Sequence, residues 1–170
     1  DSSWAVAGAG YGEMFWPRLR LSEPLQRQAK KLADGSPDVR ETLQRFYDYV
    51  TDRTRYVAIE LGAGAVVPSS PDEVVDRGYG DCKDLSALMI ALLEEVGISA
   101  DAVLVKPRPH FLARPDFVDM NGFSHMILRV PRAGPGGTDL YCDPTNGPGC
   151  AQALDPSIPG TYALNVPRRG

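Results

Sequence analysis

Three residues of this 170-residue chain have side chains that together could carry out covalent chemistry: Cys82, His125 and Asp143. Cys82 lies in the stretch RGYGDCKDLSALMIALLEEVG, residues 77–97, set between Asp81 and Asp84. A thiolate attacks an amide carbonyl readily at neutral pH, and an imidazole can both take and return the proton that the reaction moves. The cysteine alone is weak evidence. A free cysteine is often a small buried hydrophobe, and the two neighbouring carboxylates oppose thiolate formation. Whether the three side chains meet depends on the elements that carry them.

Leu85, Leu88, Met89, Leu92, Leu93 and Val96 recur at three- and four-residue steps, which predicts a helix with one apolar face. Asp81 is a good N-cap, and Asp84 at N3 can reach back in a shortened capping box. Gly97 suits the C′ position, where a left-handed backbone costs glycine nothing. Cys82 then falls at N1, where the positive end of the helix dipole favours a thiolate. Gly78 and Gly80 let the chain approach closely and present it.

Residues 123–130 (FSHMILRV) predict a strand with Phe123, His125, Ile127 and Arg129 on one face. The more apolar set, Ser124, Met126, Leu128 and Val130, lies on the other. Residues 139–143 (DLYCD) predict a second strand. If the two pair as a hairpin around PRAGPGG, His125 and Asp143 lie equally far from a centre at Gly134 and become close cross-strand neighbours. Asp143 can then accept from the Nδ1–H of His125 and fix its tautomer.

Upstream, residues 1–23 read as irregular because Gly8, Gly10, Gly12 and Pro17 interrupt any period, although Trp4, Phe15 and Trp16 imply that this arm packs onto the domain. Helices are expected at 24–33, and from Pro37 at N1 to about Asp52. Residues 55–61 (RYVAIEL) are β-prone, 62–71 form a Gly/Pro/Ser loop and 71–77 a short helix. A strand follows at 100–105, then a loop at 107–119. A Pro/Gly-rich tail from Pro144 holds one short extended piece at 162–166. Helices first and strands after indicate an α+β domain, with no internal repeat or domain boundary across 1–170.

Composition narrows the function. A net charge of −4 argues against nucleic-acid binding, no apolar run reaches bilayer length, and no signal peptide is visible. The chain begins at Asp1 rather than Met, as expected of a piece of a longer protein. Three cysteines are too few for a disulfide scaffold and lack metal-site spacing, and two histidines, His110 and His125, exclude a histidine-rich metal cluster. Cys142 and Cys150 could pair across a short loop and leave Cys82 free, or all three could be reduced. The chemistry calls for no cofactor.

The run RYVAIELGAGAVVPSSPDEVVDRGYGDCKDLSALMIALLEEVGISADAVLV, with FSHMILRV and DLYCDPT after it, resembles the transglutaminase-like superfamily. It is especially similar to bacterial transglutaminase-like domains found within larger cell-envelope proteins. The resemblance covers roughly residues 36–147. It implies a papain-like α+β fold in which a cysteine at a helix N-terminus packs on an antiparallel sheet that supplies histidine and acid. By motif, Cys82 would be the nucleophile, His125 its base and later acid, and Asp143 the orienting group. The Cys82 backbone N–H would meet the oxyanion, with Tyr56 as second donor and Tyr79 in reserve. Acyl transfer on a protein or peptide amide through a thioester follows, ending in hydrolysis or cross-linking, in the periplasm or cell envelope and beside other domains of a parent protein. The alternative is a catalytically silent interaction module that retains the fold. Metal binding by Cys82, His125 and Asp143 fails on ligand count unless an outside ligand completes the site.

Overall fold

In a computed structural model of the chain, which describes residues 3–58, 64, 66–108 and 120–168, the elements run α1 (Trp4–Phe15), α2 (Glu23–Ala33), α3 (Val39–Arg53), β1 (Arg55–Tyr56), α4 (Pro71–Arg77), β2 (Tyr79–Gly80), α5 (Cys82–Glu95), β3 (Asp101–Val105), β4 (His125–Val130), β5 (Leu140–Cys142) and β6 (Ala163–Asn165). The fold is α+β: β5-β4-β3-β6 form an antiparallel sheet, and β1 and β2 form a separate parallel pair.

Helix α5 starts and stops where its sequence directs. The Asp81 carboxylate accepts from the Asp84 N–H and the Asp84 carboxylate from the Asp81 N–H, a complete capping box. Gly97, at φ 79°, turns the chain left-handed while the Ile98 N–H reaches back to the Leu93 carbonyl. The helix is not one-sided, however. Every residue from Lys83 to Leu93 is buried, because α2, α3 and α4 cover one side while β3 and β4 cover the other. Ala87, Ile90 and Ala91 fill the side that the leucine pattern left out.

The sheet also buries both faces. Met126, Leu128 and Val130 of β4 join the main core against α5, whereas Ile127 packs with Val103, Val105 and Ile158 in a second cluster. Ile158 comes from the C-terminal tail, so a segment that reads as Pro/Gly-rich loop covers the sheet's outer face. The tail's extended piece is β6, paired with β3.

The N-terminal arm overturns the expectation of irregular structure: it is helix α1. Gly8 and Gly12, one turn apart, form the face on which the C-terminal segment lies. A Cβ on Gly12 would stand 2.6 Å from the Pro167 carbonyl oxygen, and one on Gly8 3.2 Å from its Cδ. The indole Nε1–H of Trp16 donates to the same Pro167 oxygen at 2.8 Å. These glycines cost helix propensity, and close packing against the tail offsets that cost. Smaller departures have local causes. α3 begins at Val39 rather than Pro37, because the Asp38 carboxylate caps it by accepting from the Glu41 N–H at 2.9 Å. The strand expected over 55–61 lasts two residues, with 59–61 outside the described residues, as is most of the expected loop 107–119.

Candidate active site

Cys82 opens α5 at the wall of a cavity of about 410 Å³, which His125 also lines. His125 is the first residue of β4, and Asp143 follows β5 directly. The imidazole Nε2–H donates to Asp143 Oδ2 at 2.7 Å. Asp143 is buried, and its Oδ1 accepts from both the backbone N–H of Thr145 at 3.0 Å and its hydroxyl at 2.7 Å. The acid is held by three donors.

The contact differs in detail from the expected one. Leu128 pairs with Cys142 and Val130 with Leu140, which centres the hairpin on Pro135, not Gly134. A tight turn at Pro135–Gly137 and the bond from the Gly134 N–H to the Thr138 carbonyl shift the register. Continued one pair further, this register sets Asp143 opposite Ile127, diagonal to His125. The longer diagonal is spanned by the far ring nitrogen, Nε2, rather than by Nδ1. The ring's other side-chain hydrogen bond is with Cys82.

Burial alone would push the His125 pKa down. The hydrogen bonds that the ring makes to Asp143 and Cys82, together with their negative charge, outweigh it and push the value up to about 10. This balance favours the imidazolium at neutral pH. The Ser86 hydroxyl, in the first turns of α5, donates to the Met126 carbonyl at 3.3 Å and ties the cysteine helix to the histidine strand.

The two aspartates beside Cys82 have partners beyond the helix cap. The Lys83 ammonium pairs with Asp81 Oδ2. Asp84 Oδ2 takes the Arg77 guanidinium at 2.6 Å, and its Oδ1 takes the Ser69 N–H at 2.8 Å. Gly78, at φ 72°, caps α4, and Gly80 makes room for Asp84: a Cβ at residue 80 would lie 2.7 Å from the Asp84 Cβ. Gly80→Ala should therefore destabilise the fold by about 1–3 kcal/mol, the usual cost of overpacking, visible as a lower Tm.

The tyrosines divide. Tyr56 lines the Cys82 cavity from β1, half exposed. Tyr79 lines a different groove, its ring 4.8 Å from the Arg77 guanidinium. Tyr11, which the sequence reading missed, is a buried wall of the cavity, with its hydroxyl donating to the Val66 carbonyl at 3.0 Å. Burial and the negative charge of Cys82, Asp81 and Asp84 push its phenol up. The spacing Gly8, Tyr11, Gly12, Phe15 is a helical face that the glycines obscured. Lys83, Arg77 and Thr145 were likewise missed; of these, only the Asp-Pro-Thr turn has a sequence signal, a hydroxyl two residues after an aspartate.

Cys142 and Cys150 are not bridged. Both are free thiols, the first buried and the second exposed. Burial, with Asp143 and Cys150 nearby, pushes the Cys142 thiol well up. Iodoacetamide at neutral pH should therefore label Cys82 first, Cys150 next and Cys142 last, as read by peptide mass mapping.

Among solved structures, the chain resembles a candidate protease of Parabacteroides distasonis (18% identity, TM-score 0.60, covering 88% of this chain and 31% of that one). It also resembles a candidate cysteine protease of Cytophaga hutchinsonii (20%, 0.57, 91% and 46%) and LapG of Legionella pneumophila (18%, 0.52, 80% and 77%). At these identities the likeness establishes the fold. The chain spans about a third and under half of the first two neighbours. No curated protein matches the chain. The family profile of the transglutaminase-like superfamily matches residues 26–114, just over half the chain, including Cys82 and stopping short of His125 and Asp143. The chain belongs to the transglutaminase-like superfamily.

Proposed function

We propose that this domain is a cysteine-dependent enzyme that transfers the acyl group of a protein or peptide amide, with Cys82 as nucleophile, His125 as general base and acid, and Asp143 as the group that orients it. The supporting observation is the shared imidazole: one ring nitrogen bonded to a buried, fully satisfied carboxylate, the other turned to a thiol at a helix N-terminus in an open cavity.

The Cys82 thiolate attacks the amide carbonyl carbon, and the C=O electron pair moves onto oxygen. The Cys82 backbone N–H, free of an intrahelical partner at N1, meets that oxyanion, with the Tyr56 hydroxyl as the second donor. As the C–N bond breaks, His125 gives its Nδ1 proton to the departing amine, leaving a thioester on Cys82 and a neutral imidazole. The acceptor, water or an amine, then gives a proton to Nδ1 as it attacks the thioester, and the thiolate departs. Asp143 stabilises the imidazolium at both stages. Tyr11, Leu104, Phe123 and Met126 give the cavity apolar walls beside the thioester.

We place this activity in one domain over residues 1–170, since the tail at Pro167 packs on α1 and closes the same core, acting beside other domains in the cell envelope. Among the described residues no helix is long and apolar enough to cross a membrane. The test is intact-mass detection of an acyl adduct on Cys82 with an activated peptide ester or thioester, followed by its release with water or an added amine. No adduct, with the fold intact by thermal unfolding, would favour a silent interaction module. Tyr56→Phe should lower the acylation rate by roughly a hundred- to a thousandfold without altering iodoacetamide labelling, since alkylation forms no oxyanion.

A further inference from the structure

Cys82 stands between two buried carboxylates, an environment that opposes a thiolate. The helix cap does not remove that charge, because each capping bond uses a neutral N–H. The structure holds a separate counter-ion for each. Lys83 is 5% exposed and Asp81 4%, and the ammonium takes Asp81 Oδ2 while Oδ1 caps the helix. Arg77 takes Asp84 Oδ2 from α4. A buried ammonium in the first turn of a helix is opposed by the dipole and by desolvation, so helix formation gives no reason for it. Lys83 and Asp81 both line the Cys82 cavity.

We propose that Lys83 and Arg77 are positioning residues whose task is to neutralise Asp81 and Asp84, so that the charge Cys82 meets is the His125 imidazolium. Among the described residues, the titratable and charged groups around Cys82 are Tyr11 from α1, Tyr56 from β1, Arg77 from α4, Asp81, Lys83 and Asp84 at its own helix, His125 from β4, and Asp143 after β5. The Tyr11 phenol, pushed up by burial, carries no charge at neutral pH, and Asp143 is spent on the imidazole. The two cations close the balance. The inference rests on Cys82 being the nucleophile.

Iodoacetamide alkylation of Cys82 against pH reads thiolate formation without acyl transfer. Lys83→Gln keeps a donor for Asp81 but removes the charge. Its reaction midpoint should rise by about one pH unit, with roughly tenfold slower alkylation below the midpoint. The double variant Asp81→Asn/Lys83→Gln keeps a good N-cap and should return the midpoint to within a few tenths of the wild-type value. Arg77→Gln should move it the same way by less, because Arg77 is partly exposed to screening water. An unchanged midpoint in folded Lys83→Gln, or a double variant displaced as far as the single one, would overturn the proposal. Should Lys83→Gln fail to fold, an unmoved midpoint in Arg77→Gln overturns it equally. Wild-type Cys82 reacting no faster than Cys150 would instead refute the nucleophile assignment on which it rests.

Discussion

Replacing His125 with alanine should lower acyl transfer by roughly a hundred- to ten-thousand-fold, the range over which a positioned general acid–base acts. The variant loses the proton donor of acylation, the proton acceptor of the second step and the cation that pairs with the thiolate. The midpoint for iodoacetamide labelling of Cys82 should rise towards the free-thiol value of about 8.5. An unchanged labelling profile would remove His125 from the pair. The same residue ties stability to pH. Its folded-state value of about 10 lies above the unfolded 6.5, so the folded chain binds the extra proton between them. The resulting stabilisation is fully present below pH 6.5 and is lost as pH rises through about 10. With Cys82 a thiolate in the folded chain, chemical denaturation of the wild type should show stability falling mainly between the free-thiol value of about 8.5 and pH 10, and the alanine variant should show a flatter dependence.

Asp143→Asn should lower acyl transfer by roughly ten- to a thousandfold while leaving the fold intact, less than the loss of about ten-thousand-fold in serine-protease triads, because a thiolate–imidazolium pair relies less on the acid. The hydrogen bonds around Asp143 explain why an isosteric change matters. The carboxylate receives three donors, Thr145 N–H and O–H on Oδ1 and His125 Nε2–H on Oδ2. An amide has one acceptor oxygen. If its NH₂ faces His125, the imidazole must present a bare Nε2 and carry its proton on Nδ1, the nitrogen that should accept from the thiol. If its NH₂ faces Thr145 instead, a buried donor meets two others. Rates with a chromogenic thioester, measured beside thermal unfolding, test this. Full activity with unchanged melting would mean that Asp143 only terminates the strand ahead of Pro144.

The local elements around the candidate site were legible in the residues because short-range chemistry determines them. Asp81 and Asp84 cap whatever helix follows them, Gly97 ends it, and the apolar spacing from Leu85 to Val96 makes it. Cys82 at the helix start, His125 on a strand and Asp143 at the end of the next strand could all be placed from the sequence, since each follows from patterns a few residues long. The helical spacing in α1 was equally local, but Gly8 and Gly12 hid it. Their reason lies 155 and 159 residues away in Pro167, which needs the space that side chains would fill.

Tertiary structure alone decided the rest. The hairpin centre moved to Pro135 because a turn's internal hydrogen bonds, not the count of intervening residues, set register, and that shift changed which imidazole nitrogen meets Asp143. In sequence Tyr56 is the nearer candidate donor and Tyr79 the reserve, and β-pairing places the first on the Cys82 cavity and the second in a different groove. The aspartates flanking Cys82 looked unfavourable along the chain and are compensated in space, one by the adjacent Lys83 folded back over it and one by Arg77 from the preceding helix. Capping and periodicity act between neighbours and leave a mark in sequence. Charge compensation, close approach and register depend on where distant backbone ends up, and only the packed chain records them.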